Sequence, residues 1–227
     1  MKISVITPTL NEAGNIHHRA RELAMESPPW EWIVVDGGSN DETAVVARRM
    51  GAKVIVAARG RGTQLNTGAQ AASGDILLFL HADTALPHGA LDAIRGACRK
   101  SRIVGGNFTF SFADPSLAGR FLSAVYAAKQ RVFRVWYGDS AIFVRADTFQ
   151  SLGGFKGYPI LEDIDFVERL RARGRTVRLP LVVRSLARRY RGRFVATVAR
   201  WSGIFALYKL GISPNRLARF YPPHGES

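Results

Sequence analysis

The segment Asp75-Ile76-Leu77-Leu78-Phe79-Leu80-His81-Ala82-Asp83-Thr84 holds five consecutive apolar residues, Ile76 to Leu80, and then turns polar. Five residues are too few for a typical helix and suit a strand covered on both faces of a parallel sheet. The carboxyl end of such a strand is where open α/β sheets bind ligands, which makes Asp83 the first candidate site residue. In an extended chain residues 81 and 83 project to one side, so the His81 imidazole and the Asp83 carboxylate would face a bound cation together. The competing reading is a strand-end turn with a helix-capping aspartate.

Upstream of this segment, strand and helix alternate. Ile3, Val5 and Ile6 form an apolar run ending at Pro8, and Asn11 is placed to cap a helix whose Ile16, Ala20, Leu23 and Ala24 repeat at helical spacing. Trp32 to Val35 reads as a second strand. Ser39 and Glu42 have the spacing of a capping box, opening a helix that closes at Gly51. Val54 to Val56 reads as a third strand, and Gly60 to Ala72 as a helix with Leu65, Ala69 and Ala72 inward and Gly74 just past its end. The pattern βαβαβαβ predicts right-handed crossovers, a mostly parallel sheet and four polar segments at its ligand edge: 8 to 12, 36 to 41, 59 to 66 and 81 to 84.

The second half is less regular. Phe108, Phe110 and Phe112 alternate with polar residues, as in a strand with one buried face. Asp114 and Pro115 open a helix carrying Leu117, Phe121, Val125, Ala128 and Val132 to about residue 134, before an aromatic-rich segment and a short strand, Ala141 to Val144. Leu152 to Phe155 breaks regular structure. Glu162, Asp163 and Asp165 crowd the start of a helix that stops at Gly174. The apolar segment Phe194 to Ile212 is interrupted by Arg200 and Lys209, which fall on opposite sides of a helix and suit core packing or membrane contact better than a span.

At 227 residues and 47% hydrophobic content, with no linker or charge block, the chain reads as one α/β domain. It has no signal-like start, so a cytoplasmic location is expected. Cys98 is in register with Leu91 and Ile94 on one helix face and reads as a packing residue. The net charge is +14, and ten arginines without an acid run from Arg169 to Arg193. Such a run attracts phosphates, nucleic acid or an anionic membrane surface, but only Tyr190 supplies an interleaved aromatic, so nucleic acid is the weaker reading.

These residues carry a resemblance. Pro8 to Glu12, Ile33 to Asp41, His81-Ala82-Asp83 and Glu162-Asp163 occur in the order and spacing of family 2 glycosyltransferases. Arg59-Gly60-Arg61-Gly62 with Gln64, Asn66 and Gly68, followed by Leu78 to Asp83, resembles the small bacterial subfamily of arsenosugar-biosynthesis glycosyltransferases. The resemblance implies a GT-A fold over the whole chain: a nucleotide-binding half to about residue 84, an acceptor half to about 193, and a C-terminal helix and tail. It implies a metal-dependent, inverting transfer of a sugar from a UDP- or GDP-linked donor to a hydroxyl-bearing acceptor; a lipid-linked acceptor and a location at the inner membrane face are an extension expected from the arginine run and the apolar Phe194 to Ile212 segment.

In that family pattern Asp83 holds a divalent ion on the diphosphate, with His81 where many members carry a second acid, a substitution that favours Mn²⁺ over Mg²⁺. Pro8, Glu12, Asp36, Arg59 and Gln64 fall at donor-contacting positions. A carboxylate at Asp36 accepts from a ring N–H, which favours uracil or guanine, although the family's second acid is here Gly37. Arg59 would pair with the diphosphate, the competing reading being a solvated loop cation. Asp163 takes the position of the base, with Glu162 and Asp139 on the acceptor side. The competing reading of the helix-start acids is favourable placement on the helix dipole. His224 reads as a solvated tail residue ahead of a metal ligand. The rival functions are a non-catalytic basic module binding nucleic acid or membrane, and a sugar nucleotidyltransferase, for which residues 8 to 16 lack a glycine-rich triphosphate loop.

Overall fold

The computed structural model describes residues 1–113, 119, 123–124, 126–128, 136–185 and 194–220. Most of the helix expected from Asp114 to about residue 134, the arginines from Arg188 to Arg193, and His224 lie outside the described residues.

The first half follows the alternation: β1 (Ile3–Thr9), α1 (Ala13–Ala24), β2 (Trp30–Asp36), α2 (Thr43–Arg49), β3 (Lys53–Val56), α3 (Arg61–Gln70) and β4 (Ile76–Phe79). After β4 come β5 (Thr84–Ala85), α4 (Ala90–Cys98), β6 (Ile103–Phe112), a 3₁₀ turn at Gly138–Ser140, β7 (Ile142–Arg145), α5 (Ala146–Ser151), α6 (Glu162–Arg173), β8 (Arg175–Ser185), α7 (Phe194–Lys209) and α8 (Pro214–Leu217). One eight-stranded sheet runs in the order β3-β2-β1-β4-β7-β6-β8-β5. The strands from β3 to β4 are parallel. β7 is antiparallel to both its neighbours, and β6 and β8 are parallel to each other.

β4 is the strand predicted from its apolar run, and both its faces are covered. Ile76, Leu78 and Leu80 join one core with Leu91, Ile94 and Cys98 of α4. Leu77 and Phe79 join the other with Leu65 of α3 and Phe166 of α6. All five residues from Ile76 to Leu80 are at most 2% exposed, and burial of each contributes about 1.5–3 kcal/mol. Phe79 packs edge-on against Phe155 and Phe166 with ring centroids 4.9 and 6.4 Å apart, which ties the second half of the chain to the central strand. Cys98 is buried as expected, and burial raises its thiol.

Local differences from the sequence expectations have local causes. The Ser39–Glu42 capping box does not form, because the Ser39 hydroxyl bonds Asp36 and the first turn of α2 is held instead by Asp41, which accepts from Thr43 N at 2.9 Å. Asn11 does not cap α1. It adopts φ 55°, and its amide oxygen accepts from Asn40 N at 2.8 Å. Gly74 is required by close approach rather than by helix termination, since a Cβ there would lie 2.6 Å from Ser4 Oγ. Part of the arginine run is the strand β8, with Arg175, Arg178 and Arg184 exposed; its register against β6 shifts between Leu179 and Val182, which accommodates Pro180. α7 packs Ile204 with Leu217 of α8 against Ile160, Leu161 and Ile164. Among the described residues no helix is long and apolar enough to cross a membrane.

Candidate active site

The carboxyl ends of β1 and β2 lie side by side, with Thr9 opposite Asp36. Gln64, projecting from α3, locks them together: its side-chain N–H groups donate to the carbonyls of Thr9 (2.9 Å) and Val35 (2.8 Å). Asn66, two residues on, clamps Phe155 in both directions, donating to its carbonyl at 2.8 Å and accepting from its N–H at 2.9 Å. The loops after the two strands are also joined. Asn11 N donates to Ser39 Oγ (2.9 Å), Glu12 N to Thr43 Oγ1 (2.8 Å) and Ala13 N to Asp41 Oδ2 (3.2 Å). Burial raises the Asp41 carboxyl, but the bonds from Thr43 and Ala13 hold it below the ordinary value. Pro8 and Glu12 are partly exposed on this rim, and Arg59 stands exposed after β3.

The end of β4 differs from the extended chain expected there. Residues 81 to 84 form a turn closed by Thr84 N donating to His81 O at 3.1 Å, so His81 and Asp83 do not share a side by strand alternation. The turn is imposed from α1. Buried Arg19 donates to the Thr84 carbonyl and pairs with Glu22 at 2.7 Å, and Glu22 accepts from Leu86 N at 2.9 Å. Buried Glu26 then accepts from Gly89 N (2.6 Å) and Leu91 N (2.7 Å), at the start of α4. Burial lowers the Arg19 guanidinium, and the charges of Glu22 and Asp83 oppose that shift.

Across the crevice, Gly138 brings three elements together. A methyl group there would lie 3.1 Å from His81 Nε2 and 3.3 Å from Asp163 Oδ2. Asp163 Oδ2 accepts from Gly138 N at 2.6 Å and Oδ1 from Ile164 N at 2.8 Å. Burial raises the Asp163 carboxyl and Glu162 raises it further, with Arg61 opposing. Asp139 accepts from the Tyr126 hydroxyl. Its carboxyl is pushed up to about 7 by burial and by the charges of Asp163 and Asp83, against the Tyr126 bond and Arg61. Asp165 is spent on structure: it pairs with Lys156 and Arg169, each at 2.7 Å. Among the described residues, three non-glycine residues have positive φ, each next to a loop of this crevice: Asn11 (55°), Ala141 (52°) and Leu161 (65°). Such strain concentrates where the surrounding packing fixes a functional geometry.

The structure thus gathers His81, Asp139 and Asp163 into one cluster, with Asp83 near enough to act on Asp139 electrostatically. Asp36, Gln64, Pro8 and Glu12 lie on the facing rim. Sequence reading missed Arg61, which pairs with buried Glu162 and so joins α3 to the start of α6. It also missed Arg19, 5% exposed under the 81–84 turn. The signal for Arg19 was available, since it is adjacent to Ala20 on the apolar face of its helix.

Among the described residues, no three His, Cys, Asp or Glu side chains form a ready metal cage. One carboxylate and one imidazole on the 81–84 turn are oxygen and nitrogen donors that fit a divalent cation whose remaining positions come from elsewhere than these two side chains.

A sequence model described as Glycosyl transferase family 2 matches residues 4–149. Glycosyltransferase AglE of Haloferax volcanii is 28% identical over 175 residues, covering 70% of this chain and 57% of that protein. The 4,4'-diaponeurosporenoate glycosyltransferase of Staphylococcus haemolyticus is 39% identical over 101 residues, covering 40% and 27%. The chain therefore spans less than two thirds of the length of these two relatives. Among solved structures, the mannosyltransferase PcManGT of Pyrobaculum calidifontis, in complex with GDP-Man and Mn²⁺, superposes with a TM-score of 0.66 at 22% identity, covering 87% of this chain and 60% of that one. Glucosyl-3-phosphoglycerate synthase of Mycobacterium tuberculosis, in complex with Mn²⁺, UDP and glucosyl-3-phosphoglycerate, gives 0.65 at 22% identity, covering 93% and 81%.

Proposed function

The chain belongs to glycosyltransferase family 2 and has the GT-A fold, and on that premise we propose that it transfers a sugar from a nucleotide diphosphate to an acceptor hydroxyl with inversion. The observation that carries this reading is the meeting of His81, Gly138 and Asp163 at the end of β4. It puts the candidate leaving-group side and the candidate base within one crevice.

A divalent cation held by Asp83, with His81, would neutralise the charge that develops on the leaving diphosphate. Arg59, exposed and without an ion pair among the described residues, is free to meet the same phosphates. Asp163 takes the acceptor proton. Its raised carboxyl is a stronger base once ionised than an ordinary aspartate, and the Gly138 N–H fixes one oxygen so that the carboxylate does not rotate. Asp139 and Glu162 line the acceptor side, and Arg61 holds Glu162 in place. The Arg59 to Asp83 motifs support the finer assignment to the arsenosugar-biosynthesis subfamily.

The test is a thermal-shift titration with UDP, GDP and CDP, each with and without Mn²⁺, on the wild type and Asp83→Ala. A Mn²⁺-dependent stabilisation that disappears in the variant is expected, since specific ligands stabilise the native state by mass action. No response to any nucleotide would remove the transferase reading and favour the basic-module rival.

A lipid-linked acceptor, met at an anionic membrane surface, is supported by one observation. Leu210 and Phe220 are 79% and 66% exposed, beside exposed Arg216 and Arg219. Sedimentation with anionic liposomes at low salt is expected, and its absence would sink this extension.

A further inference from the structure

We infer that Asp36 is a positioning residue that shapes the nucleotide rim, and that this chain does not read the nucleobase with a carboxylate at this loop. The inference rests on the nucleotide-binding reading of the crevice and corrects the role expected of Asp36 within it.

A side chain that reads a ring N–H needs a lone pair free to accept it. Asp36 is 4% exposed, and both of its oxygens are already engaged inside the protein. Oδ2 accepts from Gly38 N at 3.2 Å and Ser39 N at 2.9 Å. Oδ1 accepts from the Ser39 hydroxyl and from the Thr9 hydroxyl at 3.3 Å. These bonds fold the chain back on itself from residue 36 to 39. The Ser39 oxygen then accepts from Asn11 N at 2.9 Å, so the carboxylate fixes the loop after β1 as well as its own.

Position 37, where the family pattern offers a second acid, is crowded from below. A Cβ on Gly37 would lie 3.1–3.2 Å from three atoms of the Gln64 amide. That amide cannot easily withdraw, because its two N–H bonds hold the ends of β1 and β2. Gly37 and Gln64 are therefore a matched pair: the brace under the rim occupies the space in which a base-reading side chain would start. What positions 36 and 37 still offer a base is their backbone.

The experiment compares binding of UDP, GDP and CDP to the wild type, Asp36→Asn, Thr9→Val and Ser39→Ala by thermal shift and calorimetry. UDP and GDP carry a ring imino proton and CDP does not. A positioning role predicts that Asp36→Asn weakens all three by a common factor of about ten, and that Thr9→Val and Ser39→Ala weaken all three by smaller common factors. Thr9 is 2% exposed, so its hydroxyl acts only through Asp36 and the adjacent carbonyl of Val35. Loss of UDP and GDP binding in Asp36→Asn with CDP binding unchanged would overturn the inference, as would nucleotide affinities unaltered in both hydroxyl variants. If Asp36→Asn does not fold, the two hydroxyl variants decide. A wild type that binds no nucleotide would instead defeat the transferase reading, while the loop-shaping role would still register as a melting temperature lowered by roughly 2–4 °C in Ser39→Ala.

Discussion

Asp36, at the end of β2, and Asp163, in the first turn of α6, are both buried aspartates, 4% and 8% exposed. Among the described residues Asp36 accepts four hydrogen bonds, two of them from hydroxyls, that of Thr9 being shared with the Val35 carbonyl. Among the same residues Asp163 accepts two, both from backbone N–H groups, and it shares its surroundings with Glu162 and Asp139. A carboxylate saturated with donors has no lone pair left for a substrate. One that is buried among other acids has its carboxyl raised by burial and by its neighbour Glu162, and keeps lone pairs free. The number and kind of donors, rather than residue type, separates the acid that shapes a loop from the one proposed as the base.

The largest effect should come from removing the proposed base. Asp163→Asn is expected to lower the transfer rate roughly 100- to 10,000-fold while retaining nucleotide binding by thermal shift. A variant with near-normal turnover would place the base elsewhere in the cluster. Asp165 sharpens the contrast within one helix start, because it faces Lys156 and Arg169 instead of the crevice. Asp165→Asn should cost about 1–3 kcal/mol of stability, discounted because Lys156 is half exposed, with turnover per folded molecule unchanged. Denaturant unfolding and kinetics on the same preparation distinguish the two acids. Arg59→Ala should raise the donor KM by roughly tenfold, the loss of one charge-assisted contact, and leave the melting temperature in place.

The last expected effect is a pH dependence. The Asp139 carboxyl, pushed up to about 7 in the folded protein against an ordinary 3.8, keeps a proton that the unfolded chain releases. Its contribution to stability is therefore full below pH about 4 and is lost as pH rises toward 7. Asp139→Asn should flatten the decline in melting temperature across that window. Parallel curves for wild type and variant would mean that Asp139 is ionised throughout.

Much of the first half could be read directly. The apolar run Ile76 to Leu80 and the helical spacing of Ile16, Ala20 and Leu23 depend on local pattern, and burial followed it. β8 was not legible in the same way. Its alternation is interrupted by Pro180 and masked by arginines whose charges face solvent, so charge rather than period dominated that stretch. The capping box at Ser39 and Glu42 failed because the Ser39 hydroxyl is already engaged on both sides, donating to Asp36 and accepting from Asn11 N, contacts that no local pattern shows.

The chain's own sequence determined the parallel βαβ half, the polar segments at its edge and the identity of the acids available there, because these follow from periodicity and from the direction of parallel strands. Tertiary structure alone decided which of those acids are spent. Arg61 and Glu162 are 101 residues apart, Gln64 and Thr9 are 55 apart, and Asp163 and Gly138 are 25 apart. Each such contact satisfies or withholds a hydrogen bond at a carboxylate or a strand end. That allocation depends on three-dimensional neighbours which no local pattern encodes.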